Sequence, residues 1–269
     1  MRNLLLTFIT FLTFFPNSYS QQQDCPYKLV DLELIESKYK IHYNPLLSPD
    51  LKHLIIYDYP SLILTDTSCN FIDTICDYSA YIKGCKWLND TIVRYRLKKK
   101  IDGYFTYNIK TKQSKPLAKN QFKYIEKPSS NVVSLYFNGE MKQVLVTSNR
   151  ISEVTVSPDS SRVLMKIDNN INVYNITRDS IEFIGKLDHR GSPVGWLADS
   201  NYFLYFIDKD DGHTYLESDY YIATFDCGNF WKITDTEKLF EGRGSLVKDV
   251  LYFNDIANGK TYKCRLIKN

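Results

Sequence analysis

Ser157-Pro158-Asp159, followed by the strand-forming run Arg162-Val163-Leu164-Met165, is the stretch of sequence that decides the fold. Proline fixes φ and an aspartate carboxylate can cap a tight turn, so the pattern predicts a turn that opens a buried β-strand. Three other segments also place an aspartate in a turn before a β-rich run. They are residues 48–57, 87–95 and 196–206, with Asp50, Asp90 and Asp199 as the aspartates.

The spacing of these turns is regular. Asp50 and Asp90 are 40 residues apart, and so are Asp159 and Asp199. The second turn of each pair follows a tryptophan, Trp87 or Trp196. A period near forty in strand-rich sequence is typical of a four-stranded propeller blade. We therefore assign the four aspartates to structural turns and the two tryptophans to packing between strands.

Composition points the same way. The 269 residues include 5 Ala and 9 Glu, whereas Ile, Val, Thr, Tyr and Phe together number 90. Good helix formers are scarce and strand formers are abundant. The composition therefore argues against a helical bundle, a coiled coil and a disordered protein, and it favours an all-β domain.

The Ser-Pro-Asp turns at 48–50 and 157–159 and the Trp-x-x-Asp turns at 87–90 and 196–199 resemble those of TolB-like, WD-repeat-like β-propellers. The closing turn Asp226-Cys227-Gly228 extends the resemblance. The chain departs from the pattern in having only 11 Gly, where such repeats usually carry Gly after the Asp. The resemblance implies a scaffold role, although a fold does not by itself fix a function.

We predict an all-β fold, a β-propeller of about six four-stranded blades, with one blade degenerate. Residues 21–269 form its single domain. The N-terminal run Tyr27 to Ile35 is expected to close the ring by supplying a strand to the last blade, which places Cys25 beside Cys264 as a candidate disulfide. An unrelated β-sandwich is the alternative. The predicted blades span 38–82, 83–126, 127–150, 151–191, 192–241 and 242–269.

Residues 1–20 have the pattern of a cleavable signal peptide. Arg2 precedes an apolar run from Leu4 to Phe15, and small residues lead to a predicted cut after Ser20. The apolar run is too short to span a bilayer of about 30 Å, so we expect a secreted or periplasmic protein without stable membrane insertion. The six cysteines all follow this segment, which favours structural disulfides or buried thiols.

The sequence offers no catalytic motif. Gly242-Arg243-Gly244-Ser245 lacks the glycine that follows a nucleophilic serine in a nucleophile elbow. No metal and no cofactor is predicted. The run Asp208 to His213 has Gly212 one position too early for a calcium loop, so we interpret it as a hairpin loop. The four histidines have no paired metal spacing; they are His42, His53, His189 and His213.

Charge is unevenly distributed, although the formal net charge is only +3. Residues 83–127 hold thirteen Lys and Arg against three acids, whereas residues 188–226 hold eight acids against two bases. The basic segment predicts an anionic partner; a solvated face that self-associates with the acidic one is the alternative. We name as candidate binding residues Arg94, Arg96, Lys98, Lys99 and Lys100.

The function predicted from sequence is a non-catalytic, monomeric β-propeller that binds a protein or glycan partner. Nucleic acid is not expected, because the chain is predicted to leave the cytoplasm and lacks strong overall basicity. One alternative is a propeller enzyme, a lyase or hydrolase that acts on polysaccharide in its central channel. An immunity or inhibitor protein is a third hypothesis.

Overall fold

The structure is a computed structural model. It describes residues 24–37, 39, 45–58, 60–77, 81–98, 103–117, 124–137, 140–177, 180–188, 191–210, 215–234, 244–255 and 259–269. In these ranges the regular structure is entirely β, with twenty-three strands. None of the described residues belongs to a helix that could cross a membrane. The all-β prediction is confirmed.

Five sheets have four antiparallel strands each. The first contains β2 (Leu46–Leu47), β3 (His53–Asp58), β4 (Ser61–Asp66) and β5 (Phe71–Asp77). The second contains β6 (Tyr81–Trp87), β7 (Ile92–Lys98), β8 (Gly103–Asn108) and β9 (Gln113–Pro116). The third contains β13 (Ile151–Val156), β14 (Arg162–Ile167), β15 (Asn170–Ile176) and β16 (Ile181–Leu187). The fourth contains β17 (Gly191–Trp196), β18 (Tyr202–Asp210), β19 (Tyr215–Thr224) and β20 (Phe230–Lys232).

The fifth four-stranded sheet joins the two ends of the described chain. It contains β21 (Ser245–Val247), β22 (Val250–Asn254) and β23 (Thr261–Lys268), with β1 (Tyr27–Ile35) paired antiparallel to β23. Asn269 adds two hydrogen bonds, from its backbone N to Pro26 O at 2.9 Å and from its side-chain amide to Cys25 O at 2.7 Å. The first and last described strands are therefore neighbours.

The remaining sheet has three strands, β10 (Tyr124–Ser129), β11 (Val132–Phe137) and β12 (Glu140–Val146). It lies in the segment predicted to form the degenerate blade. The prediction of about six four-stranded blades is therefore corrected to five four-stranded blades, because the described residues in 124–137 and 140–146 form a sheet of three strands.

Five apolar clusters connect the sheets. They join β1 and β21–β23 to β2–β5, β2–β5 to β6–β9, β10–β12 to β13–β16, β13–β16 to β17–β20, and β17–β20 back to β21–β23 with β1. The first strands β13, β17, β21 and β2 lie next to one another and form the inner wall. Sheets arranged radially around their first strands are the defining geometry of a propeller.

The Ser-Pro-Asp turns explain why these strands begin where they do. Ser157 Oγ donates to the Asp159 carboxylate at 2.6 Å and accepts the backbone N–H of Arg162, the first residue of β14, at 2.9 Å. Ser48 makes the same two contacts, with Asp50 at 2.6 Å and with the backbone N–H of His53 at 2.9 Å. Each turn is thus tied by one serine to the first residue of the strand that follows.

The residue after the aspartate has the backbone conformation that glycine favours, although it is not glycine in these turns. Leu51 and Ser160 have φ of 65° and 61°, in the left-handed region that favours glycine. Ser200, which follows Asp199, has φ of 57°. The turns therefore keep the geometry of a glycine-containing repeat while using other residues there.

Candidate functional site

The second four-stranded sheet has two chemically different faces. Side chains alternate along β7, so Val93, Tyr95 and Leu97 point together into the apolar cluster shared with β2–β5 and are at most 7% exposed. Arg94 and Arg96 occupy the opposite face. That face is turned away from β2–β5.

Strand register extends this second face across the whole sheet. Lys86 lies opposite Arg94, Arg94 lies opposite Thr106, and Thr106 lies opposite Lys115. In the next row, Arg96 lies opposite Tyr104. Residues directly opposite in an antiparallel sheet share a face. We call the set formed by Lys86, Arg94, Arg96, Lys115 and Tyr104 the cationic face.

Tyr104 holds the two arginines close together. The Arg94 guanidinium carbon lies 4.8 Å from the centre of the Tyr104 ring, and that of Arg96 lies 5.5 Å from it. Cation–π attraction of this kind favours a defined position for each guanidinium. The ring therefore presents two like charges side by side.

Three cations of this face, Lys86, Arg94 and Lys115, have no carboxylate partner among the described residues. Among those residues, Arg94 Nε is also buried without a hydrogen-bond partner. Burial of its amine, and then the charge of Arg94, lower the pKa of Lys86 to about 8. Lys86 remains exposed over part of its surface. An anion arriving here would relieve the repulsion and supply the missing partner.

The corresponding face of the fourth four-stranded sheet, β17–β20, is apolar. There, Gly195 lies opposite Leu204, Leu204 opposite Ile222, and Ile222 opposite Trp231, while Phe206 lies opposite Tyr220. Five of these six residues, all except Gly195, belong to the cluster shared with β1 and β21–β23. We call this set the apolar face.

Of the described apolar clusters, none bridges β6–β9 and β10–β12. The three-stranded sheet contributes Val133 and Leu145 to the cluster on its other side, with β13–β16.

The predicted binding residues are only partly brought together. Arg94 and Arg96 lie on the cationic face, and Lys98 ends β7 at a position whose side chain is not described. Lys99 and Lys100 lie outside the described residues. The sequence did not predict Lys86, Lys115 and Tyr104, which come from three other strands. The alternation of side chains along each strand can be predicted from the sequence, but the register that aligns the strands cannot.

The predicted structural residues have different outcomes. Trp87 Nε1 donates to Leu46 O at 3.0 Å and Trp196 Nε1 donates to Thr155 O at 3.1 Å, so each tryptophan ties its sheet to the preceding one. Asp199 accepts the backbone N–H of Asn201 and the Tyr27 hydroxyl. At the remaining turn Asn89, not Asp90, accepts the backbone N–H groups of Thr91 and Ile92, both at 2.9 Å.

The structure contains no disulfide among the six cysteines. The Cys25–Cys264 disulfide therefore stays a prediction. Cys264 is buried in the cluster of the last sheet, and Cys25 packs against that same cluster. Burial raises the pKa of the Cys227 thiol to about 12. The described cysteines are thus placed in or against apolar surroundings.

The acidic segment is partly neutralised by its own sheet. Lys209 on β18 pairs with Glu217 on β19, and Lys232 on β20 lies 3.0 Å from Asp219 on β19. No group of three or more His, Cys, Asp or Glu suited to a metal ion occurs among the described residues. Part of the run 208–213 lies outside them, as do His42, His189 and His213. His53 Nδ1 lies 3.8 Å from Asp50.

Comparison with known proteins supports the fold. The chain is similar to the β-propeller domain of Cps50 (Swd1) from Myceliophteria thermophila, with 12% identity, a TM-score of 0.56 and 82% of both chains covered. It is also similar to a chain of a mitotic checkpoint complex, with 12% identity, a TM-score of 0.58, and 100% of this chain and 99% of that chain covered.

A putative TolB from Agrobacterium tumefaciens is similar as well, with 13% identity, a TM-score of 0.50, and 84% of this chain and 90% of that chain covered. No family model and no curated protein matches the sequence. The resemblance to TolB-like and WD-repeat-like proteins is thus confirmed at the level of architecture, and the chain has the β-propeller fold.

Proposed function

We propose that this protein is a non-catalytic β-propeller that binds an acidic protein partner at the cationic face. The observation that carries the proposal is the contrast between two equivalent sheet faces. The apolar face is buried in a cluster with its neighbour, whereas the cationic face carries Lys86, Arg94 and Lys115 without a carboxylate partner among the described residues.

The chemistry of the face favours carboxylates. Arginine side chains bind carboxylates with paired N–H donors, and Arg94 Nε has an unused donor. Tyr104 positions both guanidinium groups before a ligand arrives, which reduces the entropy lost on binding. The similar chain from a mitotic checkpoint complex is itself part of a protein assembly, which favours a protein partner.

The proposal also includes where the protein acts and in what oligomeric state. We infer that residues 1–20 direct export and are removed, so that the propeller acts outside the cytoplasm as a monomer. The pairing of β1 with β23 supports closure of the propeller by its N-terminal strand. A closed ring leaves fewer exposed strand edges and gives a rigid support for the cationic face.

Retention on immobilised poly-L-glutamate tests the binding function. The protein should be retained at low salt and elute as salt rises, because exposed charges are screened. Lys86→Glu/Lys115→Glu should elute at clearly lower salt, since it replaces two uncompensated cations by anions. Lys52→Glu/Lys248→Glu is a control with the same change in net charge, because both lysines are exposed in turns of other sheets. Equal elution of the double variant and the wild type would overturn the proposal.

A further inference from the structure

The two halves of the chain end in sheets that differ by one strand. In the second half, β21, β22 and β23 follow one another, and β1 adds to the outer side of β23 as a fourth strand. In the first half, β10, β11 and β12 follow one another in the same order. Among the described residues, no strand pairs with the outer side of β12. The outer edge of β12 is thus the position that β1 fills in the other half.

Backbone geometry identifies the donors at this edge. The backbone N–H of Thr147 donates to Asn131 O at 3.0 Å, and Val146, the residue before it, lies opposite Val132. Hydrogen-bonded and non-hydrogen-bonded pairs alternate in an antiparallel ladder. The N–H groups of Val144 and Val146 therefore point away from β11, towards the outer edge.

The two ends of β12 differ in how well they could accept a strand. Between Met141 and Gln143 the register with β11 shifts, so Lys142 is an extra residue. A bulge and a lysine on an edge strand both disfavour strand addition. The other end carries Val144 and Val146, and Val146 is an apolar side chain that is 64% exposed. Strand addition is therefore favoured at residues 144–147.

The charge of the neighbouring sheet indicates what kind of strand fits. Lys115 belongs to β9, the outer strand of β6–β9, and lies in the row that contains Arg94 and Lys86. A strand added outside β12 would occupy the outer position of the next sheet. Its side chains alternate between two faces, and one of these faces would be turned towards β9.

We propose that an extended acidic segment of the partner protein adds antiparallel to the outer edge of β12 as its fourth strand, with alternate carboxylates facing Lys115 and the cationic face. Main-chain hydrogen bonds provide affinity and alternate side chains provide specificity in this mode of recognition. The inference rests on the proposed function, because it assigns the form that the acidic partner takes.

A nine-residue peptide in which Glu alternates with Val is a direct probe. We expect saturable binding to the full chain in a titration, with amide hydrogen exchange slowed in residues 140–147. Val146→Pro removes one outward N–H without touching the ladder to β11, since proline is tolerated on edge strands in this orientation. It should weaken binding about tenfold. Val146→Thr keeps the N–H and the β-branched side chain, and should bind like the wild type.

The outcomes separate this inference from the proposed function. If Val146→Pro binds the peptide as well as Val146→Thr does, or if amide hydrogen exchange is slowed elsewhere, strand addition at β12 is wrong. Retention on poly-L-glutamate then still tests the cationic face separately. If neither poly-L-glutamate nor the peptide binds, both proposals fail. A concentration-dependent dimer in sedimentation that Val146→Pro abolishes would replace the partner segment with a second copy of this chain.

Discussion

The sheets β6–β9 and β17–β20 are built alike on one face and differently on the other. Each donates a tryptophan N–H to a carbonyl oxygen of the preceding sheet, from Trp87 to Leu46 O and from Trp196 to Thr155 O. Each also packs the apolar residues of one face against that preceding sheet. Towards the following sheet, however, β18 presents Leu204 where β7 presents Arg94. Corresponding positions of two sheets with the same strand order can therefore carry either a buried apolar side chain or a cation.

The largest effect is expected when the two faces exchange residues. Leu204→Arg would place an unpaired charge where Leu204 is now fully buried, and should lower the free energy of unfolding by about 4 kcal/mol. Arg94→Leu should change stability by less than about 1 kcal/mol. Urea denaturation measures both, and Leu204→Met is the control for altered packing. Similar losses for both exchanges would contradict the difference between the faces.

The tryptophan contacts give the next largest effect. Trp196→Phe removes the hydrogen bond to Thr155 O and leaves a small void, because Trp196 is only 4% exposed. We expect a loss of about 2 kcal/mol in thermal or urea denaturation. Trp87 is more exposed, so Trp87→Phe should cost less. A greater loss at Trp87 would show that the sheet beside the cationic face depends more on this contact.

The Ser-Pro-Asp turns predict a pH effect. Burial would raise the pKa of Asp159, but hydrogen bonds from Ser157 and Ser161 outweigh it and lower the pKa to about 2. The ionised form therefore stabilises the fold above the ordinary value near 4, and this contribution is lost as pH falls towards 2. Asp159→Asn should cost about 0.5 kcal/mol at pH 7, because solvent screens this exposed site.

Thermal unfolding of wild type and Asp159→Asn from pH 7 to pH 2 checks this prediction. The gap in stability should narrow below about pH 4 and nearly vanish at pH 2. Asp50, in the matching turn of the first half, also has a lowered pKa, so Asp50→Asn should behave in the same direction. A gap that stays constant down to pH 2 would contradict the role of the ionised aspartate.

The smallest effect concerns the left-handed residue of the turn. Ser160→Gly should stabilise the protein by about 0.5 kcal/mol, because glycine adopts a φ of 61° without steric cost. Ser160→Ala is the control and should give no gain. Leu51 has the same conformation but also packs against the cluster of the first sheet, so Leu51→Gly should gain less or lose stability. Equal gains at both sites would show that this packing is unimportant.

Much of the fold could be predicted from sequence because the turns leave strong local signals. Ser48, Asp50, Ser157 and Asp159 act within a few residues of one another, and they mark the first strand pair of a sheet directly. The three-stranded sheet lacks such a turn. Its position could be predicted from the interval between the two pairs of turns, but its strand number could not.

The candidate site was less predictable because it depends on register. Arg94 and Arg96 stand out in the sequence, and both lie on the cationic face. Lys86 and Lys115 join them only because β6, β8 and β9 align in one particular way with β7. Tyr104 was one of many aromatic residues until its ring was placed beside the two guanidinium groups. The predicted disulfide depended on oxidation state, which strand order alone does not determine.

The pairing of β1 with β23 has a consequence for how the chain is made. A ribosome produces Tyr27–Ile35 long before its partner Thr261–Lys268, so the earlier strand must wait for the later one before the pair can form. Contacts between residues so distant in sequence make folding slow. Such a chain would also remain incompletely folded until Thr261–Lys268 has been synthesised.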